Sequence, residues 1–274
     1  MNSTKKVFTK NADYQKFEVL KTNRNKRYKY QEFLVEGVRN INEAVKNGWR
    51  ISSFIYTKEK ALSGWADNLI RYTNTDINYE TTLPLIEDLS GKEDTSEILA
   101  IIKMRDDDIS KVRLSKNPLL ALFDRPSNKG NLGTVIRSCD ALGVDGLILT
   151  GHSVDLYDID VIIPSMGSFF KVPVIRMPEN NDLFRFVDDM KSRYPDFKVI
   201  GTTAHSQQSI YDVDLTTPLM FMIGNETDGL SKTFTDYCDI LATIPMCDNS
   251  SASSVNVGCA ATVFFYEAAR QRNR

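Results

Sequence analysis

Three short clusters of polar and glycine residues carry the side chains that could do chemistry. The first is the segment 131–137 (NLGTVIR), which follows the polar loop DRPSNKG. Asparagine and glycine at such a place are typical of a chain that leaves a strand and enters a helix, where unpaired backbone N–H groups are exposed. Arg137 lies six residues after Asn131, less than two helical turns, so we expect both side chains to address one site. A surface ion pair is the alternative role for this arginine.

The second and third clusters also follow apolar runs. Segment 224–231 (GNETDGLS) comes directly after the run LMFMI, and α/β enzymes hold ligands in polar loops at the carboxyl ends of strands. Its alternative role is a tight turn in which Ser231 caps the next helix. Segment 244–256 (IPMCDNSSASSVN) offers hydroxyls and helix caps before the small-residue run VGCAA. Its alternative role is that of a well-capped, tightly packed last helix.

Metal and hydrolase chemistry find little support in the sequence. The chain has two histidines, His152 and His205, and we expect His205 to be a loop residue near the ligand. The cysteines show no CxxC spacing, so neither a disulfide framework nor a metal site is expected. We interpret all four as reduced, buried thiols: Cys139, Cys238, Cys247 and Cys259.

Strands and helices alternate along both halves of the chain. In the first half the pattern predicts a small layered α/β domain, with strands at 33–37, 51–56 and 98–103 and helices at 38–46, 61–72 and 82–90. In the second half it predicts strands at 119–123, 146–150, 172–176, 198–202, 219–223 and 240–244, and helices at 132–142, 183–193 and 254–270. Several of these strands are apolar on both faces, which is typical of parallel strands covered by helices on each side. We therefore predict a doubly wound α/β domain in the second half.

The stretch MRDDDISKVRLSKNP is polar and without periodicity, which predicts a linker. The resulting division is a basic N-terminal arm (1–30), an α/β domain (31–104), the linker (105–117) and a second domain (118–274). The arm carries nine Lys and Arg residues against two acids, whereas the whole chain has a net charge of −2. Basic residues interleaved with Tyr14, Phe17, Tyr28 and Tyr30 favour contact with nucleic-acid phosphates and bases. A solvated surface helix is the alternative.

Composition excludes two broad classes of protein. With 42% hydrophobic and 26% charged residues, the chain is not expected to be disordered as a whole. No apolar run approaches the length of a membrane span, and the start MNSTKKVFTK lacks the apolar stretch of a signal peptide. We therefore expect a cytoplasmic protein without a membrane partner.

The order and placement of the three clusters resemble the SpoU (TrmH) branch of the SPOUT methyltransferases. That family has N-x-G-x-x-x-R, then G-x-E-x-x-G-L-S, then I-P-M followed by S-L-N-V, and the match covers residues 117–272. The stretch SMGSFFKVPV is similar to the family as well. This chain departs from the pattern in a longer loop at 247–253 and in Val255 and Gly258, which replace a leucine and a serine. The run FLVEGVRNINEA resembles the ribosomal-protein-like substrate-binding domain of rRNA-directed members.

The resemblance implies a deep trefoil knot in a parallel-sheet domain, an obligate homodimer, and S-adenosyl-L-methionine as the methyl donor. It implies transfer of the methyl group to a ribose 2′-hydroxyl of RNA, with no metal ion. The implied catalytic residues are Arg137, Asn131, Glu226, Ser254 and Asn256. The implied cofactor-binding residues are Thr202, Thr203, Ala204, Gly224, Asn225, Gly229, Ile244, Met246 and Val255.

The first domain favours 23S-type rRNA as the substrate over tRNA, because tRNA-directed members of the family often have only short helical extensions. A tRNA 2′-O-methyltransferase is one alternative, and a non-catalytic RNA-binding or ribosome-assembly factor on the same fold is another. Intact Arg137, Glu226 and Asn256 disfavour the non-catalytic factor. Arg137 is either the base or a positioning group, although a guanidinium rarely loses its proton.

Overall fold

A computed structural model of the chain describes residues 3–91, 96–204 and 208–273. The elements before residue 104 are β1 (Thr4–Val7), α1 (Ala12–Thr22), α2 (Arg24–Tyr30), β2 (Glu32–Glu36), α3 (Val38–Lys46), β3 (Ile51–Thr57), α4 (Gly64–Tyr72), β4 (Asn78–Thr81), α5 (Leu83–Ser90) and β5 (Ile98–Lys103). Those after it are β6 (Leu119–Asp124), α6 (Lys129–Leu142), β7 (Gly146–Thr150), α7 (Ile159–Ser165), β8 (Val174–Arg176), α8 (Asn180–Arg193), β9 (Lys198–Thr202), β10 (Leu219–Ile223), α9 (Lys232–Tyr237), β11 (Ile240–Ala242) and α10 (Val257–Arg272). Of the helices in the described ranges, none has the length and apolarity that crossing a membrane requires.

The chain divides into two compact units. The first consists of residues 1–106 and 157–171, and the second consists of residues 107–156 and 172–274. The first unit has one mixed sheet in the order β1-β4-β3-β5-β2. Here β4 pairs in parallel with β1 and β3, and β5 pairs antiparallel with β2 and β3. The predicted α/β character of this part of the chain is confirmed.

The basic N-terminal segment is folded into the first unit. Tyr14, Phe17 and Leu20 on α1 are each 1% exposed and pack with residues of β2, β3, β5 and α5. The interpretation of Tyr14 and Phe17 as base-stacking rings is therefore wrong, because burial removes their large apolar surface from water. Tyr30 is 38% exposed, so its ring remains accessible for stacking on a base. The edge strand β1 was not predicted, since four residues that include two lysines form a strand only by pairing with β4.

Residues 157–171 pack with the first unit although they fall within the predicted second domain. Their aromatic rings join a cluster in which Phe33 lies 4.9 Å from Tyr157 and 5.9 Å from Phe169, measured between ring centroids. Trp49 packs against Phe169 and donates its indole N–H to the Phe170 carbonyl at 2.8 Å. Aromatic burial of this kind is a major packing contribution, so this segment completes the core of the first unit.

The second unit has one parallel sheet in the order β11-β9-β10-β6-β7-β8. Phe221 on β10 contacts Phe264 and Phe265 of α10, and α6 packs on α10. On the other face, Leu122 of β6 lies in a core with residues of α8 and α9. Helices therefore cover both faces, and the predicted parallel α/β fold is confirmed. The knot stays a prediction.

The cysteines differ from expectation in their burial. All four are free, but Cys247 and Cys259 are exposed and Cys238 is only partly buried. The expectation of a buried thiol is wrong for the two exposed residues, because one lies in the loop before α10 and the other in the first turn of that helix. Burial raises the pKa of the Cys139 thiol strongly and that of Cys238 to about 12. These two thiols are unreactive at neutral pH.

A buried ion pair within the first unit provides a test of its packing. Arg27 donates to Asp158 at 3.0 Å and to the carbonyls of Leu20 and Lys21, and its side chain is 2% exposed. Replacing it with methionine (R27M) is expected to lower the free energy of unfolding by about 3–5 kcal/mol, because Asp158 is left buried without its cation. Urea denaturation measures this loss. The control is K26M, which changes an exposed lysine of the same helix. Equal stability of R27M and K26M would show that the ion pair between Arg27 and Asp158 does not stabilise the first unit.

Candidate active site

The candidate site lies where the connections of the parallel sheet change direction. β6 and β10 are neighbours that end together, with Phe123 opposite Ile223. The chain leaves β6 towards β7 on one side and leaves β10 towards β11 on the other side. In open α/β sheets such a reversal opens a crevice beyond the carboxyl ends of the two strands. The loops that follow them, 125–128 and 224–231, line this crevice.

Glu226 joins these two loops. One oxygen of its carboxylate accepts hydrogen bonds from the backbone N–H and the hydroxyl of Ser127, at 3.0 and 2.7 Å. The other accepts from the Asn128 N–H at 3.1 Å and from Asn131 Nδ2 at 3.2 Å. All four bonds are charge-assisted, which makes them stronger than bonds between neutral groups. The carboxylate therefore holds the loop after β6 against the loop after β10.

A second hydrogen bond extends this arrangement to the third cluster. Asn131 accepts from Nδ2 of Asn256 through Oδ1 at 3.1 Å. Asn256 is the N-cap of α10, and its own Oδ1 accepts from the N–H groups of Gly258 and Cys259. We call Glu226, Asn131 and Asn256 the relay. It brings together one side chain from each of the three polar clusters.

The protonation of Glu226 follows from its surroundings. Partial burial raises the pKa of this carboxyl, but hydrogen bonds from Ser127 and Asn131 lower it by more. The resulting pKa lies below the usual range, so Glu226 is ionised at neutral pH. An ionised carboxylate that already accepts four hydrogen bonds is suited to holding structure rather than to removing a proton.

The loop after β10 is packed against its own backbone. A Cβ atom on Gly224 would lie 2.3 Å from the carbonyl carbon of Gly229, so only glycine fits there. Asn225 donates through Nδ2 to the Arg125 carbonyl at 2.6 Å and accepts from the N–H groups of Thr227 and Asp228. Gly229 closes the turn with a φ of +69°. Main-chain atoms of this loop are thereby held in one arrangement.

Four further predicted cofactor residues lie at or just after the carboxyl ends of β9 and β11. Thr202 ends β9, and the Thr203 N–H donates to the carbonyl of Ala242, the last residue of β11, at 3.0 Å. Ala204 and Ile244 each lie two residues after the last residue of their strand. Because β11, β9 and β10 are adjacent and parallel, their carboxyl ends share one edge of the sheet with Gly224. His205 lies outside the described residues.

Other predicted residues are at the surface and outside the relay. Arg137 is exposed on α6, and its side chain makes no hydrogen bond or ion pair within the part of the chain that the structure describes. The residue after Arg137, Ser138, points towards α10, where its hydroxyl shares a hydrogen bond of 2.7 Å with the hydroxyl of Thr262. Ser254 is exposed in the loop before α10. Val255 and Met246 in the same loop are 44% and 38% exposed.

Comparison with known proteins shows the family. A model of the SpoU rRNA methylase family matches residues 118–266, and a model of the SpoU L30e-like domain matches residues 11–100. The chain belongs to the SpoU rRNA methylase family. The 23S rRNA (uridine(2479)-2′-O)-methyltransferase of Streptomyces viridochromogenes is 38% identical over 271 residues, which cover 98% of this chain and 93% of that protein. The resemblance seen in the three motifs is therefore confirmed.

Two further relatives support the same family. The crystal structure of the SpoU methyltransferase AviRb from Streptomyces viridochromogenes in complex with AdoMet superimposes with a TM-score of 0.90 at 39% identity, covering 96% of this chain and 98% of that chain. The 23S rRNA (guanosine-2′-O-)-methyltransferase RlmB of Haemophilus influenzae is 31% identical over 179 residues, which cover 65% of this chain and 70% of that protein. The likeness to AviRb extends over both units of this SpoU chain.

Of the three residues that Glu226 binds in this SpoU family member, the sequence analysis predicts Asn131 and misses Ser127 and Asn128. Ser127 and Asn128 lie in the loop DRPSNKG, where a polar run between a buried strand and a helix was the available signal. Asp124 and Arg125 were missed as well. Arg125 donates to both oxygens of Asp124, and this pairing raises the pKa of the guanidinium. No spacing rule predicts that a loop turns back onto a glutamate about a hundred residues later.

Replacing Glu226 with glutamine (E226Q) tests the relay. We expect a loss of about 1–3 kcal/mol in the free energy of unfolding at neutral pH, because an amide nitrogen cannot accept the bonds that a carboxylate oxygen accepts. The folded-state pKa lies below the usual 4.5, so the stabilisation is present above pH 4.5 and is lost as the pH falls through the folded-state value. The difference between E226Q and wild type should therefore narrow in acid.

Urea denaturation at several pH values measures this difference. The control is D228N, the same acid-to-amide change at an exposed position of the same loop. An E226Q difference that stays constant with pH, or one no larger than that of D228N, would show that the carboxylate does not hold the loops together.

Proposed function

We propose that this chain transfers a methyl group from S-adenosylmethionine to a ribose 2′-hydroxyl of 23S-type rRNA. The observation that carries the proposal is the relay, which joins one residue from each of the three family motifs at the reversal point of the sheet. The named activities of the Streptomyces viridochromogenes and Haemophilus influenzae relatives support the reaction and the class of RNA. The AviRb complex with AdoMet supports the methyl donor.

The residues at this edge fit S-adenosylmethionine. Glycine at position 224 lets the 224–229 loop pack back on its own main chain, which fixes the shape of this loop at the strand end where a ligand would bind. Thr202, Thr203, Ala204 and Ile244 bring further main-chain groups to the same edge of the sheet. Met246 and Val255 expose apolar side chains suited to a purine face. When bound, the cofactor supplies a methyl group activated by the positive charge on sulfur.

The residues of the chain have separate tasks in this reaction. A ribose hydroxyl is a weak nucleophile, so catalysis depends on aligning its oxygen with the methyl group and stabilising the charge that develops on it. Arg137, exposed and cationic, binds the neighbouring phosphate and the 2′-oxygen. Asn131 and Asn256 orient the nucleotide, together with the Ser254 hydroxyl. Glu226 is a positioning residue, since its oxygens are already bound to Ser127, Asn128 and Asn131.

Exposed basic residues of α2 support RNA as the partner. Arg24, Lys26 and Lys29 are exposed along this helix, and Tyr30 ends it with a partly exposed ring. Cationic side chains next to an aromatic ring suit phosphate contact combined with base stacking. This surface lies in the part of the chain that matches the SpoU L30e-like domain. We assign it to holding the RNA during methyl transfer.

Replacing Arg137 with alanine (R137A) tests the reaction. We expect kcat to fall by about 10²- to 10³-fold, as when one preorganised group that stabilises developing charge is removed. The affinity for S-adenosylmethionine, measured by calorimetry, should stay unchanged because Arg137 is not assigned to the cofactor. The transfer itself is measured with unmodified 23S rRNA transcript and labelled cofactor.

A map of 2′-O-methyl sites in rRNA and tRNA from wild-type and R137A strains identifies the substrate class. One rRNA site should disappear in the R137A strain and remain in a strain with R193A, which changes an exposed arginine of α8. Identical maps in wild type and R137A would refute the activity or the role of this residue. A site lost from tRNA instead would refute the proposed substrate.

We also propose that the chain forms a homodimer through α10. Cys259, Val263 and Tyr266 are spaced by four and three residues, so they share one face of this helix. Val263 is 40% exposed and Tyr266 is 58% exposed, although the opposite face of α10 is buried in the second unit. An exposed apolar stripe beside the relay is the surface on which a second copy would complete the burial of α10.

The variant Y266E tests this interface. A carboxylate at the centre of an apolar contact is costly to bury, so we expect Y266E to be monomeric where wild type is a dimer. Light scattering after size-exclusion chromatography measures the mass of each. The control is Y72E on α4, where the tyrosine is 77% exposed. A monomeric wild type, or a dimeric Y266E, would contradict the proposal.

A further inference from the structure

A cavity of about 400 Å³ lies at the carboxyl ends of β6, β7 and β8. Its walls include Asp124, Arg125 and Gly151, which end or follow strands, and Asn180 and Asn181, which begin α8. It opens on the sheet face covered by α8 and α9, and the buried ring of Phe234 is part of its lining. No residue of the relay and none of the residues assigned to the cofactor lines it. The volume is within the range of sites that bind small organic groups.

Arg125 lines the cavity in an unfavourable backbone conformation. Arg125 has a φ of +48° and Gly151 a φ of +57°, both in the left-handed region. A Cβ atom on Gly151 would lie 2.7 Å from Cγ of Arg125, so glycine is needed for the arginine to lie across it. A non-glycine residue in this region is unfavourable and is found preferentially at functional sites. The backbone is thus arranged to hold this guanidinium at the cavity.

The wall carries one cationic side chain, Arg125, and two carboxylates, those of Asp124 and Glu179. Asp124, which is 2% exposed, accepts from Arg125 Nε and Nη2, from the Thr150 hydroxyl and from the Ser231 N–H. Its negative charge is therefore neutralised by Arg125, whose side chain remains 34% exposed. Glu179 adds a carboxylate to the rim. A phosphate is disfavoured here, because a fixed carboxylate already takes up the positive charge of the arginine.

The other lining groups suit a flat, neutral heterocycle. The amides of Asn180 and Asn181 each present a donor and an acceptor, and Arg125 presents further N–H donors. Phe234 and Pro178 add apolar surface. Bases in single-stranded RNA are recognised in this way, through hydrogen bonds to the base edge and contact with the ring face.

We propose that this cavity holds one unpaired base of the substrate RNA and so contributes to the choice of site. The inference rests on the proposed function, because it takes RNA as the ligand. Arg125 lies two residues before Ser127, which Glu226 binds, and two residues span at most about 7 Å. One short single-stranded segment can therefore place a ribose at the relay and a base in the cavity.

The variant N181F fills the cavity with a ring from α8. The control S192F adds the same ring at an exposed position near the other end of that helix. With unmodified 23S rRNA transcript, N181F is expected to raise KM by about tenfold or more, with kcat and the affinity for S-adenosylmethionine little changed. S192F should behave as wild type, and thermal unfolding shows that both variants are folded. Equal KM values for N181F and S192F would overturn the proposal.

An abasic scan identifies the base. Short RNAs around the mapped methylation site each carry one abasic nucleotide. For wild type, one abasic position should raise KM by about tenfold, and the same position should have no further effect in N181F, because the cavity is already filled. Equal effects in wild type and N181F at every position would overturn the proposal.

Equilibrium binding separates this inference from the proposed function. Labelled, unmodified 23S rRNA transcript is titrated with wild type, N181F and S192F without cofactor, and the binding constant is measured by fluorescence anisotropy. Weaker binding by N181F alone supports the cavity even if wild type transfers no methyl group, in which case only the proposed reaction fails. Equal binding by all three proteins, with equal KM values, would refute the proposal that the cavity binds a base. The proposed methyl transfer would be unaffected by that result.

Discussion

A carboxylate can accept hydrogen bonds but has none to donate, and this property of Glu226 orders the whole site. Asn131 must turn its NH2 group towards Glu226, so its carbonyl oxygen faces Asn256. Asn256 must then donate through its own NH2 group, which leaves its oxygen to cap α10. The orientation of two amides and the start of the last helix thus follow from one charge. A neutral side chain in place of Glu226 would leave each of these orientations open.

The sheet provides the place where that charge can act. Parallel strands end on one edge, and the reversal of the chain between β6 and β10 brings the loops of distant segments together there. Residues that hold the site, such as Glu226 and Gly224, are partly or fully buried, whereas Arg137 and Ser254 are exposed. The buried groups set the geometry, and the exposed groups are the ones that a large RNA substrate can reach. Arg125 and its cavity lie at the same edge, on the face covered by α8 and α9.

Some elements can be predicted because the polarity of their own residues indicates which of their faces are buried. The strands at 119–123 and 219–223 are apolar on both faces, which only a covered parallel strand requires, and both are observed. Other features depend on distant partners. The basic neighbours of Tyr14 and Phe17 favour contact of both rings with RNA, yet the sheet beneath α1 buries them. Residues 157–171 pack with the first unit because aromatic residues of that unit cover them. Along the chain, however, they lie between two segments of the second unit.

The sequence by itself determined the fold class, the order of the three polar clusters and, through them, the family. These depend on local patterns: apolar strands, glycine turns and helix caps are encoded within a few residues. Only the tertiary structure decided that Glu226 binds Ser127 and Asn128, that Asn131 links it to Asn256, and that a cavity forms beside Arg125. The partners in these contacts are about a hundred residues apart along the chain. Such pairings arise from how the strands are ordered in the sheet, and no local pattern records that order.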